Sequence, residues 1–361
     1  MTKTRLLSLA AVLALVLAAC SSGGSATEDA DGGSGDGEEK TASEGGTLAT
    51  VKEADVVKCG TRDALPGFAV RQADGTHEGF DNDFCRAIAA AVLGDAEKVE
   101  FVDLETNARF TALQSGEIDV LLRNTTWTAS RDGSESATFL QTNFYDGQGM
   151  MVSTDSNFES IDDMDGTTVC VAAGTTTEGN VADEFTRRGL DVEVLSFDGD
   201  DLILEAFEAG RCDGWSGDLS GLAGNRTNYP GGDGALEIFP DVFSKEPLGP
   251  AVLDGDSEWA QAVNWAIFAT IQAEEFEITS SNVDDFLDSE NPAIATFLGA
   301  EVDGAILDPG LGLPVDANYQ VVKQVGNYGE IFDEHIGPLG LERGVNALWT
   351  EGGLIYAPPY K

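Results

Sequence analysis

The residues best suited to binding chemistry in this chain lie together in one short polar segment. It includes Asn124, Thr126 and Arg131, and it directly follows 118–122, an apolar run of strand length. Hydroxyl groups are short donors and Arg is a two-pronged cation, and a carboxylate can use both. Ligands of α/β sheets bind just beyond the carboxyl ends of strands. The segment therefore predicts a carboxylate site; the alternative is a plain capping loop with a surface arginine.

A first series of alternating strands and helices is expected to position this segment. Strands are predicted at 54–60, 98–104 and 118–122. Between the first two, apolar spacing predicts a helix at 81–93, which Gly94 ends. Alternation of strand and helix favours a parallel α/β sheet.

A second series begins near Gly149. Thr175 and Glu178 have the spacing of a capping box, so a helix should begin there. The remaining elements expected are strands at 149–152, 167–171 and 192–197 and a helix at 202–209. After Pro250 the chain becomes mainly helical, with its longest amphipathic stretch at 258–273. The sequence thus predicts an α/β protein of two lobes with a cleft between them.

The N-terminal residues predict export and lipid anchoring. Lys3 and Arg5 precede an apolar run over 6–19, which suits a signal peptide and is too short to span a membrane. Small residues directly before Cys20 resemble a bacterial lipobox, in which the Cys is lipidated. The following segment, 21–46, is rich in Ser, Gly and acids, and we expect a disordered linker. A plain secretory signal is the alternative.

The charge of the chain excludes one class of function. The net charge is −44; the signal carries +2 and the linker −6, so residues 47–361 keep −40. A surface this acidic repels nucleic acid and anionic lipid head groups. We therefore expect no nucleic-acid partner, and membrane contact only through the lipid anchor.

The cysteines predict two disulfides. With Cys20 assigned to the lipobox, Cys59, Cys85, Cys170 and Cys212 remain, an even number in an exported chain. Four cysteines allow three pairings, and Cys59–Cys85 with Cys170–Cys212 keeps each pair within one predicted lobe. Free buried thiols are the alternative. The cysteine spacing does not suit zinc, and no metal or other cofactor is expected.

Several ordered blocks of the sequence resemble a known family. The chain from about residue 58 to 361 is similar to the family 3 solute-binding proteins of ABC importers, in particular the general L-amino-acid and glutamate/glutamine branch. The blocks that carry this resemblance are LPGF, FCRAIAAAVLGD, ARFTALQSGEIDVLLRNTTWTASRD, FYDGQGMMV, VCVAAGTTTE, GRCDGWSGDLSGLA, SKEPLGPAV, KQVGNYGEIF and GGLIYAPPY.

The resemblance implies a type II periplasmic-binding fold, with two α/β lobes joined by a two-strand hinge. We expect a signal at 1–20, a linker at 21–46, lobe 1 at 47–146, lobe 2 at 147–243, and a return to lobe 1 with a C-terminal helical extension at 244–361. An L-amino acid would bind between the lobes, the hinge would close, and the closed form would dock on an ABC permease. A monomer anchored to the outer face of the cell membrane is expected.

The resemblance also assigns the groups that hold the amino acid itself. Arg131 would grip the α-carboxylate, and Thr126 would add its N–H and hydroxyl. Thr175, at a helix start, would offer N–H donors from the other lobe. Asn124 would offer a carbonyl to the ammonium group, and Asp218 a carboxylate. Both charges of the ligand would then be paired, as burial requires.

Side-chain selectivity is expected to depend on a second group of residues. Arg62 and Arg109 stand where family members that bind acidic amino acids make side-chain contacts, and Thr106 adjoins them. Two arginines would favour Glu or Asp; the alternative for Arg109 is a structural role on its helix. Asp200 falls at another contact and would oppose a ligand carboxylate unless it pairs with an arginine, so Gln, Asn or a broad specificity stays open. Phe68 stacks on the ligand or fills the core.

Two other functions remain as alternatives. An exported enzyme on the same fold would need a general acid or base in the cleft, and the chain's two histidines, His77 and His335, are not expected there. An amino-acid sensor would bind the same ligand without transport. The sequence favours a binding protein over an enzyme.

Overall fold

A computed structural model of the protein describes residues 46–360. The predicted signal peptide, Cys20 and all of the linker except Gly46 lie outside the described residues. The first part of the described chain contains α1 Gly46–Ala54, β1 Val57–Thr61, β2 Ala64–Leu65, β3 Ala69–Arg71, β4 His77–Glu78, α2 Phe80–Leu93, β5 Val99–Asp103, α3 Arg109–Ser115, β6 Val120–Leu121, α4 Ala129–Ser134, β7 Ala137–Phe139 and β8 Phe144–Asp146.

The middle part contains β9 Gln148–Ser153, β10 Thr167–Ala172, α5 Thr176–Arg188, β11 Val192–Phe197, α6 Asp200–Glu208, β12 Gly214–Asp218, α7 Leu219–Thr227 and β13 Leu236–Ile238. The last part contains β14 Glu246–Leu248, β15 Ala251–Leu253, α8 Ser257–Glu275, α9 Pro292–Phe297, α10 Ala317–Gln324 and α11 Tyr328–His335. Short 3₁₀ turns connect several of these elements.

Each lobe is built on one five-stranded sheet. Lobe 1 has the order β5-β1-β6-β15-β7, in which β1, β5 and β6 run parallel and β15 runs antiparallel to its neighbours. Lobe 2 has the order β11-β10-β12-β9-β13, with β10, β11 and β12 parallel. The parallel strands of both sheets come from alternating strand and helix, as the sequence predicts.

The two lobes are joined by a separate two-stranded sheet. Strands β8 and β14 pair antiparallel, with Asp146 opposite Glu246 and Phe144 opposite Leu248. The chain leaves lobe 1 along β8 and returns along β14, after which β15 enters the lobe 1 sheet. This pair is the expected hinge.

The C-terminal helices belong to the lobe 1 core. Helices α8, α10 and α11 pack against α2, and the shared core includes the fully buried Phe84, Trp259, Tyr328 and Phe332. Tyr328 donates its hydroxyl to the carbonyl of Asn143, next to β8, at 2.8 Å. The C-terminal extension is therefore fixed to lobe 1 at the base of the hinge.

Both predicted disulfides are present. Cys59–Cys85 joins β1 to α2, with Cα atoms 6.1 Å apart, and Cys170–Cys212 joins β10 to the segment before β12, with Cα atoms 5.7 Å apart. The pairing within lobes is confirmed, and the alternative of free thiols does not hold. Across residues 46–360, no helix has the length and apolar character needed to span a membrane.

Several local predictions need correction. Residues 46–54 form helix α1, so the first strand starts at Val57 and not at residue 54. The strand expected at 118–122 is only Val120–Leu121. Arg131 does not lie in a loop: Thr128 caps α4 by accepting the N–H of Arg131 at 3.2 Å, and the arginine stands in the first turn. The hydroxyl groups of this segment were expected to bind a ligand, and the hydroxyl of Thr128 caps a helix instead.

Candidate functional site

A cavity of about 590 Å³, including its open mouth, lies between the lobes. Its lining comes from the ends of β1, β6, β10 and β12 and the segments that follow them, as expected for an α/β sheet. Nine of the ten residues predicted to bind ligand line it: Arg62, Thr106, Arg109, Asn124, Thr126, Arg131, Thr175, Asp200 and Asp218. These residues lie as far apart in sequence as Arg62 and Asp218, 156 positions, and the fold brings them together.

Phe68 is the exception. Its side chain is fully buried and packs edge-on against Phe80 at 5.8 Å and Phe144 at 5.2 Å between ring centroids. It therefore belongs to the lobe 1 core and does not line the cavity. The expectation that it stacks on a ligand is corrected, and the core alternative holds.

We call residues 124–128 the ligand loop. The loop pairs with hinge strand β14 and the residue after it: Trp127 N–H donates to Pro247 O at 2.8 Å and Gly249 N–H to Thr125 O at 3.3 Å. Arg131 donates from Nη1 to the carbonyl of Thr126 at 2.9 Å. The arginine is thus fixed to the loop that precedes it.

The charge of Arg131 is supported by two nearby acids. Burial lowers the pKa of Arg131, while Glu246 and Asp218 oppose that shift. Its guanidinium carbon lies 5.8 Å from the centre of the Phe110 ring, which holds it from one side. A partly desolvated guanidinium at the edge of a cleft donates strong hydrogen bonds to a carboxylate.

Arg62 and Asp200 form an ion pair across the cleft. Nη2 of Arg62, which follows β1, lies 2.8 Å from Oδ2 of Asp200, which starts α6 in lobe 2. Asn225 donates to the same Asp200 oxygen at 3.0 Å, and Arg62 donates to Asn124 Oδ1 at 3.3 Å. Burial would raise the pKa of Asp200, but Arg62 and these hydrogen bonds hold it below its usual value. Arg62 is therefore already neutralised.

Arg109 is a buried cation without an acid partner in its hydrogen bonding. The residue is 4% exposed, and its Nη2 donates to the carbonyl of Gly174 in lobe 2 at 3.2 Å. Its Nε is buried, and no acceptor among residues 46–360 reaches it. Burial, with Arg131, Arg123 and Arg62 nearby, holds the pKa of Arg109 well below its usual range. An anion in the cavity would stabilise this charge.

Arg123 is a fourth arginine of the cavity, which the sequence analysis missed. Its Nε donates to Leu104 O at 2.8 Å and its Nη2 to Thr106 Oγ1 at 2.9 Å, both neutral acceptors. Burial lowers the pKa of Arg123 to about 9. Its position directly before Asn124, at the carboxyl end of β6, was the signal that could have found it. Thr106 is engaged with Arg123.

Asp218 is the acid of the cavity that lacks a cationic partner. It ends β12 and precedes α7, and its Oδ1 is buried with no donor in reach among the described residues. Burial raises the pKa of Asp218 well above its usual value, and Asp146 and Glu246 raise it further, whereas Arg131 lowers it. A ligand ammonium would supply the missing partner.

The two hinge acids next to Asp218 face each other across β8 and β14. Asp146 accepts hydrogen bonds from Ser220 Oγ and from Gly147 N–H, the latter at 2.8 Å. Burial raises the pKa of Asp146 to about 6, and Glu246 adds to the rise. Glu246 accepts from Thr176 Oγ1 at 2.8 Å and Asn180 Nδ2 at 3.0 Å in lobe 2. Negative charge is thus concentrated at the hinge side of the cavity.

Thr175 caps helix α5 at the cavity, as predicted. Its Oγ1 accepts the N–H of Glu178 at 3.3 Å and donates to Ala172 O at 2.6 Å. The first turn of α5 places Thr176 and Thr177 in the lining as well. The N-terminus of a helix offers unpaired N–H groups and a partial positive charge, which suit a carboxylate.

Within residues 46–360, one other group of side chains has the ligand types that metals use. Asp83, Glu334 and His335 bring one atom each within 4.8 Å, on α2 and α11. Asp83 is already engaged: it accepts from Arg86 at 2.8 Å and bonds His335 Nε2 at 2.7 Å. This group joins the C-terminal helix to lobe 1 outside the cavity.

The fold and the cleft define a type II periplasmic-binding protein, with two α/β lobes, a two-strand hinge and an interlobe site. The chain belongs to the bacterial extracellular solute-binding proteins, family 3, which it matches over residues 57–281.

Relatives and a solved structure agree with this assignment. The chain is 48% identical over 318 residues to the general L-amino acid-binding periplasmic protein AapJ of Rhizobium johnstonii, covering 87% of this chain and 93% of that protein. It is 44% identical over 319 residues to the glutamate/glutamine/aspartate/asparagine-binding protein BztA of Rhodobacter capsulatus, with coverage of 87% and 93%. A solved ABC transporter periplasmic binding protein from Brucella ovis with glutathione bound has a TM-score of 0.85 and 43% identity, covering 87% and 99%.

Proposed function

We propose that this protein is the substrate-binding component of an ABC-type amino-acid importer. It captures a polar L-amino acid by hinge closure and delivers it to the permease. The names of the relatives support the ligand class and the transport role. The observation that carries the proposal is the placement of Arg131 and Asp218, from opposite lobes, in one cavity.

The geometry supports a zwitterionic ligand. Arg131 and the ligand loop take the α-carboxylate, and Asp218, which has no cation of its own, takes the ammonium. Leaving either charge unpaired would cost several kcal/mol, so both lobes must contribute. Because contacts come from both lobes, the ligand favours the closed form.

We infer that the preferred ligand is acidic, and that Arg109 is the selective residue. Arg62 is neutralised by Asp200, whereas Arg109 and Arg123 donate only to neutral groups. Arg131 would pair with the α-carboxylate of the ligand and Asp218 with its ammonium group, so the cavity keeps excess positive charge near Arg109. The side-chain carboxylate of Glu or Asp would offset it. Gln, Asn or a broad set of amino acids is the alternative.

A second candidate ligand is a γ-glutamyl peptide such as glutathione. The solved Brucella ovis protein has glutathione bound, and it covers 87% of this chain. Glutathione carries the same α-amino acid end as Glu, together with a more distant carboxylate. The open mouth of the cavity would be needed to admit its longer chain.

We do not propose an enzyme. Raised pKa values of Asp218 and Asp146 are a property shared by catalytic acids. A ligand ammonium accounts for Asp218, and Asp146 is held by Ser220 and Gly147. The relatives are named as binding proteins.

The decisive experiment is calorimetric titration of the ligand-stripped soluble body, residues 47–361, with the twenty L-amino acids and with glutathione. We expect Glu or Asp to bind more tightly than Gln or Asn. Arg109→Gln should reduce the ratio of Glu to Gln affinity by about tenfold or more, the effect of a lost charged hydrogen bond. Arg187→Gln, on the exposed side of α5, is the matched control and should leave the ratio of Glu to Gln affinity unchanged.

Equal binding of many amino acids would support the broad alternative and assign Arg109 a structural role. Preference for glutathione over Glu would support the peptide ligand. Binding of none of these compounds would refute the proposed function.

The cellular location is a separate part of the proposal. We propose that Cys20 anchors the mature protein by lipid to the outer face of the membrane and that the body acts as a monomer. Cys20→Ala should move the protein from the membrane fraction to the soluble fraction of cells. Retention of that variant on membranes would argue against the anchor.

A further inference from the structure

Asp81 is a buried carboxylate that reaches the ligand loop without lining the cavity. It lies in the first turn of α2 and is 3% exposed. Its Oδ2 accepts the N–H of Asn124 at 2.6 Å, and its own N–H donates to Phe68 O at 3.0 Å. A residue so placed can affect a ligand only indirectly, and its direct contact with the site is the hydrogen bond to the loop.

The amide that Asp81 holds belongs to a strained residue. Asn124 has φ 36°, in the left-handed region that residues other than glycine rarely adopt. Asn tolerates this region better than most, but the conformation still costs about 1 kcal/mol or more. A short hydrogen bond from a backbone N–H to a carboxylate is stronger than one between two neutral groups, and it can offset that cost.

The loop is fixed at two places. At its far end Trp127 and Thr125 bond to Pro247 and Gly249 of the hinge segment. At its near end the backbone contact is the one between Asn124 and Asp81. Without this second contact the near end would keep the longer hydrogen bond from Arg62 to Asn124 Oδ1, at 3.3 Å. Asn124 could then relax more easily, and Thr126 and Arg131 would shift with it.

Two cavity arginines act on Asp81 through their charge. Burial raises the pKa of Asp81 to about 7, and the N–H of Asn124, Arg62 and Arg123 oppose that rise. The same two arginines flank Asn124: Arg62 donates a hydrogen bond to its side chain, and Arg123 is the preceding residue.

We propose that Asp81 is a positioning residue for ligand binding: it holds Asn124 in its left-handed conformation and so sets where Thr126 and Arg131 meet the ligand. The proposal rests on the ligand role proposed above for this loop. It assigns a function to a buried residue of α2 that makes no contact with the cavity.

The test compares Asp81→Ala, Asp81→Asn and Asn82→Ala in the soluble body. Asn82 is the matched control, since it is fully buried in the same turn but bonds Thr61 and Glu78, not the loop. Affinity for the amino acid that the wild type binds best is measured by calorimetry. Hydrogen exchange of residues 120–128 is measured without ligand.

We expect Asp81→Ala to weaken binding of every amino acid by about tenfold or more and to speed exchange over 120–128. Asp81→Asn keeps an acceptor and should recover most of the affinity and the protection. Asn82→Ala should lower the melting temperature while leaving both readouts near wild type. If Asp81→Ala does not fold, Asp81→Ser replaces it, because its hydroxyl is too short to reach Asn124.

Binding and exchange in Asp81→Ala within twofold of the wild type would overturn the proposal. An equal loss in Asn82→Ala would also overturn it, because the effect would then be general packing. If the wild type binds no amino acid, the proposed function fails, and the exchange data alone decide whether Asp81 holds the loop.

Discussion

Arg62 and Asp200 join the two lobes through a 2.8 Å ion pair in which both side chains are less than one-fifth exposed. The pair connects the end of β1 to the start of α6, and neither partner belongs to the hinge. Because the pair spans the two lobes, the protein itself contributes part of the energy of closure. Arg62, which the sequence placed in a side-chain pocket, lines the cavity but already has an acidic partner.

Breaking this pair should weaken ligand binding. We expect Arg62→Ala and Asp200→Ala each to lower affinity by about tenfold or more, since each leaves a buried charge unpaired. Because each variant also changes the net charge of the cavity, Asp200→Ala should raise the ratio of Glu to Gln affinity and Arg62→Ala should lower it. Calorimetric titration of each variant against the full set checks this.

A charge exchange separates closure from direct contact. The double variant Arg62→Asp with Asp200→Arg restores an ion pair of opposite polarity and should recover part of the lost affinity. A double variant no better than the worse single one would mean that Arg62 or Asp200 contacts the ligand directly.

Arg131 should be the anchor of every amino-acid ligand. Arg131→Ala removes the two-pronged partner of the α-carboxylate and should lower affinity by a factor of about 100 or more, or at least 2.7 kcal/mol. Arg131→Lys keeps the charge and should recover only part of the lost affinity. Near-normal titrations with Arg131→Ala would remove this residue from the site.

Ligand binding should release a proton at any pH at which Asp218 is still protonated in the free protein. Asp218 faces Asp146, Glu246 and Asp200 as well as Arg131, and burial with these acids raises its pKa in the free protein. A bound ammonium favours the charged form, so binding lowers this pKa and affinity rises with pH until Asp218 is ionised in the free state. Calorimetry in two buffers of different ionisation enthalpy should give different binding enthalpies. Identical enthalpies would show that Asp218 is already charged.

Asp146 should make the fold less stable as pH rises. Its folded pKa of about 6 exceeds the usual 3.8, so the folded state holds the proton more tightly between these values. Stability from this group is therefore largest below pH 4 and falls as pH approaches 6, by roughly 3 kcal/mol in all. Asp146→Asn should raise the melting temperature at pH 7 and change little at pH 4. An equal effect at both pH values would assign the change to hydrogen bonding.

The disulfides should each contribute to stability. They close loops of 26 and 42 residues in sequence separation, which predicts roughly 3–4 kcal/mol each from chain entropy. Thiol titration of the denatured, unreduced body should find essentially no free thiol. Cys170→Ser with Cys212→Ser should lower the free energy of unfolding in urea by about that amount, and an unchanged midpoint would contradict it.

The sequence was most informative where local chemistry and periodicity agreed. The helix capped by Thr175, the helix ended by Gly94 and the strand at 192–197 all appear as predicted, because their caps and apolar patterns are local. The two disulfides followed from the division of the same pattern into two lobes, with one cysteine pair in each. Local chemistry pointed to Arg131 as a carboxylate partner, whereas Asp218 came only with the family resemblance.

What the sequence missed depends on contacts between distant segments. Arg62 and Arg109 looked equivalent, yet only the fold shows that Asp200 neutralises one and leaves the other without an acid. In the sequence, Arg123 is indistinguishable from the end of an apolar strand, and Phe68 fits a ligand contact as well as a core position. Burial and pairing decide these cases, and neither can be read from one segment.

The distribution of charge has a kinetic consequence. The body carries −40, while four of the chain's twenty basic residues line the cavity. An anionic solute therefore diffuses through a repulsive outer field before it reaches an attractive interior. Salt shortens the outer field to about 10 Å at 0.1 M but affects buried charges much less. Capture of glutamate should accordingly become faster in saltier surroundings, the reverse of ordinary electrostatic steering.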